Sequence, residues 1–313
     1  MPGTFEPATW DQIINSTSII SVRGMRCAFF ETKNKMTQVA LITGGTSGIG
    51  YSVAEALSKL DNWQINIIGV NEEKGRKAAA TLPNTSFYKA NVSEYEELAV
   101  VFDTVFNKAQ RLDFVFANAG IPEYTDLLAN QPSSGIPPKP GLDLLDINLN
   151  GAIYASYLAV SYFRRSPEST KGTQSLLLTA SIGGLYPCML TPVYSSSKHA
   201  LIGFVRSIGD RLFKEGIRVN AICPGVVKTP LLNEELLSYF PADVLIPTEA
   251  VTDVAMKIIL DDSIKDSKGV CVTAEKFHSQ AIHVTGKGFY LIDQPPINDE
   301  EAQTTWNCMM GWR

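Results

Sequence analysis

Ser181, Tyr194 and Lys198 bring a hydroxyl, a phenol and an ammonium into one stretch, TASIGGLYPCMLTPVYSSSK, and these are the groups that a proton exchange at a substrate oxygen requires. Tyr194 and Lys198 stand at i and i+4. With Thr191 as cap and Pro192 as the first helical residue, both share one helix face, so the ammonium is expected beside the phenol. A free phenol has a pKa of about 10 and is a poor base at neutral pH. A neighbouring positive charge and the positive end of the helix dipole both favour the phenolate. Tyr194 can then exchange a proton with an alcohol or carbonyl oxygen that Ser181 holds by a hydrogen bond. The partner still to be found is a source of hydride.

QVALITGGTSGIGYSVAEAL suggests one, because a short apolar strand, a glycine turn and an amphipathic helix follow in the order that a dinucleotide fingerprint needs. Gly44, Gly48 and Gly50, spaced TGxxxGxG, let the backbone turn sharply and approach a pyrophosphate, whose charge rests on the N–H groups opening the helix. Three further motifs follow in chain order: ANAG at Ala117 to Gly120, DINLNG around Asn148, and PGVVKTP from Pro224 to Pro230.

On these five motifs the chain resembles the short-chain dehydrogenase/reductase family over about Gln38 to Ile292. Within it, PGVVKTPLL and the late QAIHV strand are most similar to the group containing 15-hydroxyprostaglandin dehydrogenase and its fungal relatives. The resemblance implies that Ser181 orients and polarises the substrate oxygen and that Tyr194 is the acid/base. It implies that Lys198 lowers the pKa of Tyr194 and binds the nicotinamide ribose, and that Asn148 holds a water relaying protons from Lys198. The cofactor cleft would be lined by Gly44, Thr46, Ser47, Gly48, Ile49 and Gly50, then Asn91 and Val92, then Asn118, Ala119 and Gly120. Tyr194, Lys198, Pro224, Gly225, Val227 and Thr229 would complete it.

The ribose end departs from the family pattern. An acidic residue that would bond a 2′-hydroxyl is replaced by Gly69, and the arginine of NADP-binding relatives is absent, Val70 and Ser47 standing at its two usual places. Losing the carboxylate removes repulsion toward a 2′-phosphate, and Lys74 and Arg76 are either its partners or ordinary exposed helix charges, so the balance leans slightly to NADP with NAD as the alternative. Asn91 replaces the usual adenine-binding aspartate.

The elements that position these motifs read as alternating strands and helices, the mark of a parallel sheet. Strands are expected at Val39–Thr43, Gln64–Gly69, Ser86–Ala90, Phe114–Ala117, Ser175–Ala180, Arg218–Ile222 and Gln280–Val284. Helices are expected at Gly48–Leu60, Glu72–Thr81, Glu94–Gln110, Leu142–Phe163, Pro192–Glu215 and Thr248–Asp261. The fold class is α/β, a single doubly wound parallel sheet of about seven strands with helices on both faces. A catalytic domain over residues 36–293 would follow an N-terminal extension (1–35) and precede a C-terminal tail (294–313). QPSSGIPPKPG (131–141) reads as a surface insert. TPLLNEELLSYFPADVLIP (229–247) falls where the family carries a substrate lid; Leu231, Leu232, Leu236, Tyr239 and Phe240 either line an apolar pocket or pack as a short helix.

Composition bounds the partner. The 313 residues are 45% hydrophobic and 19% charged, with a net charge of −5, which disfavours nucleic acid or an anionic membrane as partner. No apolar run has the length of a membrane span. The partner expected is a small-molecule substrate. Five scattered cysteines without a CxxC pair suggest buried thiols in a reducing, cytoplasmic setting. His199, His278 and His283 show no metal spacing, so no metal is expected. GTSGI around Ser47 is not a GxSxG elbow, and Tyr51 after Gly50 excludes a Walker A loop. The apolar 142–163 helix and the helix of Tyr194 form the dimer face in the family, implying a homodimer or homotetramer. The function expected is nicotinamide-dependent interconversion of a secondary alcohol and a ketone on a small apolar metabolite, in a biosynthetic role that the fungal resemblance implies. A redox-neutral reaction at the same site, or a cofactor-binding scaffold without turnover, are the alternatives.

Overall fold

The apolar run before Gly44 forms β1 (Gln38–Thr43), buried from its second residue onward as a strand covered on both faces must be. The structure, a computed structural model, describes residues 37–124, 126–129 and 134–311. β1 pairs in parallel with β2 (Trp63–Gly69) on one side and β4 (Phe114–Ala117) on the other. β3 (Thr85–Lys89), β5 (Gln174–Thr179), β6 (Ile217–Pro224), β9 (Ala281–Thr285) and β10 (Gly288–Ile292) complete an eight-stranded sheet in the order β10-β9-β6-β5-β4-β1-β2-β3. Strand order reverses at β1, so a crevice opens between the carboxyl ends of β1 and β4, where ligands of such sheets bind.

Helices cover both faces. α1 (Gly48–Ser58), α2 (Glu72–Ala80) and α7 (Thr248–Leu260) pack on one, burying Val53, Leu57, Ala78 and Ile258. α3 (Tyr95–Ala109), α4 (Gly151–Arg165) and α5 (Pro192–Phe213) pack on the other through Phe102, Phe163 and Leu201. Tyr154 and Tyr162 of α4 meet Tyr95 and Phe106 of α3 at 5.5 and 5.2 Å between ring centroids.

Several features depart from the sequence expectations. The sheet has an eighth strand, because β10 folds back antiparallel on β9 through a short loop, Gly286-Lys287. A separate hairpin pairs β7 (Ile264–Lys265) with β8 (Cys271–Val272). Leu142–Phe163 is not one α-helix: a turn at Asp143–Leu145 leads into a π-helical segment, Asp146–Asn150, before α4. Within 294–313 stands α8 (Glu300–Gly311), exposed along its whole length. The lid region holds a short helix, α6 (Glu234–Ser238). Residues 134–141 of the proline-rich insert are irregular and exposed. The extension expected at 1–35 lies outside the described residues. No described helix is long and apolar enough to cross a membrane.

Candidate active site

The crevice is floored by the glycine turn. Gly44 and Gly48 adopt φ of +65° and +56°, which side chains disfavour. An added Cβ on Gly44 would lie 2.9 Å from the Ala119 Cα, so the β1 and β4 turns touch only because that atom is missing. Ser47 precedes α1 without a capping hydrogen bond, leaving first-turn N–H groups of that helix for an outside acceptor. Thr229 closes over the turn, 3.2 Å from where a Gly48 Cβ would stand. The glycine turn and the PGVVKTP segment, far apart in the chain, thus form one cleft of the kind a pyrophosphate fits.

Asn118 fixes the back wall. Its Nδ2 donates to the Thr43 carbonyl (3.2 Å), its Oδ1 accepts from the Thr179 hydroxyl (3.0 Å), and its backbone N–H and that of Ala119 donate to Thr43 Oγ1. The side chain therefore ties β1, β4 and β5 together and is not directed at a ligand. Val92 and Val227 are likewise core side chains, Val92 packing on Gly151. Pro224 is buried at the end of β6, and Gly225 donates to the Val284 carbonyl. Ile49 packs on the core, and Asn91 accepts from Ser93 N–H, its amide side left for other contacts.

At the other end of the cleft the proton-exchange residues converge. Ser181 caps the short turn Ile182–Gly184, accepting from Gly183 N–H at 3.1 Å, and stands near enough to the Tyr194 phenol to favour its ionised form. Gly184 explains how α5 comes so near: a Cβ there would lie 2.6 Å from the Lys198 carbonyl oxygen. Lys198 Nζ sits 5.5 Å from the Tyr194 ring centroid and donates to the Thr179 carbonyl at 2.7 Å. Asn148, in the π-helical segment, accepts from Ile121 N–H (2.7 Å) and donates to its carbonyl (2.8 Å). Gly120 lies between them, since a Cβ there would stand 3.1 Å from Asn148 Oδ1 and 3.6 Å from Lys198 Nζ. A cradle that only a glycine leaves open, beside a buried ammonium, fits the ribose and nicotinamide of a dinucleotide.

Two sequence expectations are corrected here. Thr191 makes no capping bond; the acceptor for the Tyr194 N–H is the Glu123 carboxylate, at 2.8 Å, from the loop after β4. That contact spans 71 residues, and no local sequence signal marks it. The phenol is not pushed toward the phenolate either. Burial raises the Tyr194 pKa above its ordinary value, and Ser181 only partly offsets it. Burial also lowers Lys198, to about 8. The protein alone thus holds Tyr194 as an acid.

The thiols also differ from expectation. Cys223 is buried, its pKa pushed up to about 12 by burial, but Cys188, Cys271 and Cys308 are exposed because they stand on a loop, a hairpin edge and α8. Cys27 lies outside the described residues. Among the described residues no cluster of three His, Cys, Asp or Glu side chains could hold a metal. His199 is exposed and His278 stacks on Phe213 at 4.2 Å, apart from the cleft.

A doubly wound sheet with a glycine-turn cleft, and a Ser-Tyr-Lys set at its far end, defines a dinucleotide-dependent oxidoreductase. A short chain dehydrogenase profile matches residues 38–238. The chain is 38% identical to the short-chain dehydrogenase/reductase prx7 of Penicillium rubens, over 80% of this chain and 93% of that one. It is 35% identical to the NAD(+) 15-hydroxyprostaglandin dehydrogenase of Rattus norvegicus, over 62% of this chain and 70% of that one. In fold it is similar to the 3-ketoacyl-(acyl-carrier-protein) reductase of Brucella melitensis complexed with NADH, with a TM-score of 0.67 at 19% identity, covering 80% and 98% of the two chains. It is similar also to a variant of actinorhodin polyketide ketoreductase with NADPH, with a TM-score of 0.65 at 24% identity, covering 80% and 96%. The chain belongs to the short-chain dehydrogenase/reductase family and is an NAD(P)-dependent alcohol/ketone oxidoreductase.

Proposed function

We propose that this enzyme interconverts a secondary alcohol and a ketone on a small apolar metabolite. Ser181 holds the substrate oxygen, Tyr194 gives or takes its proton, and Lys198 supports the phenol and the nicotinamide ribose. The bound nicotinamide supplies or accepts the hydride. The carrying observation is the apolar rim: Ile182, Tyr186, Met189 and Leu190 are exposed between Ser181 and Tyr194, and Tyr239 and Phe240 are exposed on the lid. α6 is anchored through buried Leu237, which leaves the apolar lid residues on either side of it for an apolar substrate.

In the reductive direction Tyr194, kept protonated by burial, donates to the carbonyl oxygen, and the Ser181 hydrogen bond polarises that carbonyl. Lys198, at the end of a contact path through Gly120 and Asn148, lies where it can restore the proton. Asn148's side chain is held by Ile121, so a relay water would bind its backbone. Because no carboxylate stands at Gly69, NADP is the cofactor we favour over NAD. α4 and α5, with Tyr157 uncovered, suit a homodimer, and a cytoplasmic biosynthetic step fits the apolar substrate.

The test is NADPH and NADH absorbance at 340 nm during incubation with a panel of apolar ketones and secondary alcohols. Net cofactor turnover that Tyr194→Phe abolishes supports this reading; product without net turnover replaces it with a redox-neutral reaction.

A further inference from the structure

We propose that Lys89, at the carboxyl end of β3, is the residue that binds the 2′-phosphate of NADPH. The proposal deepens the cofactor reading above and rests on it. Gly69, the last residue of β2, has Lys89 as its register partner on β3. Partners in a parallel ladder lie about 4.8 Å apart and project to the same face of the sheet. Lys89 therefore stands one strand over from the position where a ribose-binding carboxylate would stand, on the same side.

A carboxylate side chain at that position would crowd Thr46. A Cβ on Gly69 would lie 2.7 Å from the Thr46 Cγ2, so the threonine methyl fills the space that an acidic side chain would enter. The ribose end thus offers no acceptor at Gly69 for a 2′-hydroxyl and no charge there to repel a phosphate.

The cations nearby are not equivalent. Arg76 is folded back on Glu72, with Nε and Nη2 at 3.1 and 2.7 Å from Oε1, which occupies the guanidinium. Its pairing holds Glu72 below the usual carboxylate range, with a smaller contribution from Lys89. The Lys89 side chain is exposed and makes no hydrogen bond or ion pair among the described residues. It is an ammonium with uncommitted donors at the carboxyl edge of the sheet, beside a position, Gly69, that carries no side chain.

A charge-assisted hydrogen bond from an ammonium to a phosphate corresponds to about tenfold in affinity or somewhat more. Fluorescence titration of NADPH and NADH against the full chain measures both dissociation constants without any substrate. Lys89→Ala and Lys89→Gln should each weaken NADPH about tenfold and leave NADH within about twofold. The variants should also flatten the salt dependence of NADPH binding, which screening imposes on a solvent-facing ion contact. Lys74→Ala serves as the comparison and should change little. Equal dissociation constants for NADPH in wild type and both Lys89 variants would overturn the proposal, as would a loss confined to Lys74→Ala, or tighter binding of NADH than NADPH by wild type. Binding of neither cofactor would overturn the cofactor reading together with it.

Discussion

Glu123→Ala tests how the catalytic helix is held. The carboxylate accepts from the Tyr194 N–H at 2.8 Å, the third helical position counting Pro192 as the first, which is the N–H that a capping side chain normally satisfies. Loss of such a cap costs about 1 kcal/mol, within a range of roughly 0.5–2. For a domain of this size each kcal/mol corresponds to about 2–4 °C in Tm. Glu123→Ala should therefore melt about 2–4 °C lower. Thr191→Ala should leave Tm unchanged, because the Thr191 side chain makes no capping bond. Glu123→Gln should fall between, keeping an oxygen acceptor but placing an amide N–H₂ where Glu123 Oε1 is now buried without a partner. Turnover with any accepted ketone should drop about tenfold in Glu123→Ala as the phenol loses its position, with cofactor affinity unchanged. Thermal denaturation of the three variants decides the matter. If Thr191→Ala is the more destabilising, the helix is capped as the local sequence suggests and the tertiary cap is refuted.

Tyr194→Phe should lower turnover at least about 10²-fold while NADPH affinity stays constant, as removal of an acid/base alone requires; equal rates would remove Tyr194 from the chemistry. Freed of cofactor, the protein should gain stability as pH rises from about 8 to about 9, because folded Lys198 loses its proton near 8 and unfolded lysine only at 10.5. Above about 9 the buried Cys223 works in the opposite sense, since its thiol ionises at 9.0 unfolded and about 12 folded. Lys198→Met should erase the rise between pH 8 and 9 in a series of melting curves, and a rise that persists would assign it elsewhere. Gly69→Asp alone should lose roughly 1–3 kcal/mol through overpacking against Thr46. Adding Thr46→Ala should restore Tm and shift preference toward NADH, as paired melting and titration experiments would read; a single Asp variant as stable as wild type would contradict the steric argument.

The sheet and the glycine turn are legible in the sequence because both are local. β-branched and leucine runs set the strands, and Gly44 and Gly48 hold backbone angles that only glycine takes easily. β10 is equally within reach: GKG separates two apolar runs at hairpin spacing. The π-helical segment is not, because DINLN continues an apolar helical pattern and its geometry follows from Asn148 reaching Ile121. Glu123 and Lys89 share the same reason for being hidden. Each acquires its role from a neighbour on a distant element, α5 for Glu123 and β2 for Lys89, and that neighbour is fixed only when the sheet closes. Tyr194 and Lys198 show the limit most directly. Their spacing correctly puts ammonium and phenol on one face, but spacing carries no information about burial. Gly184 lets α5 settle against the turn after Ser181 with the Lys198 carbonyl almost in contact, and that docking buries Lys198 and withdraws Tyr194 in part from water. Desolvation then outweighs a charge 5.5 Å from the ring centroid, so the phenol is raised where the linear reading lowers it. The proton that the reaction needs is consequently stored on Tyr194 before substrate arrives, a state suited to giving it to a carbonyl.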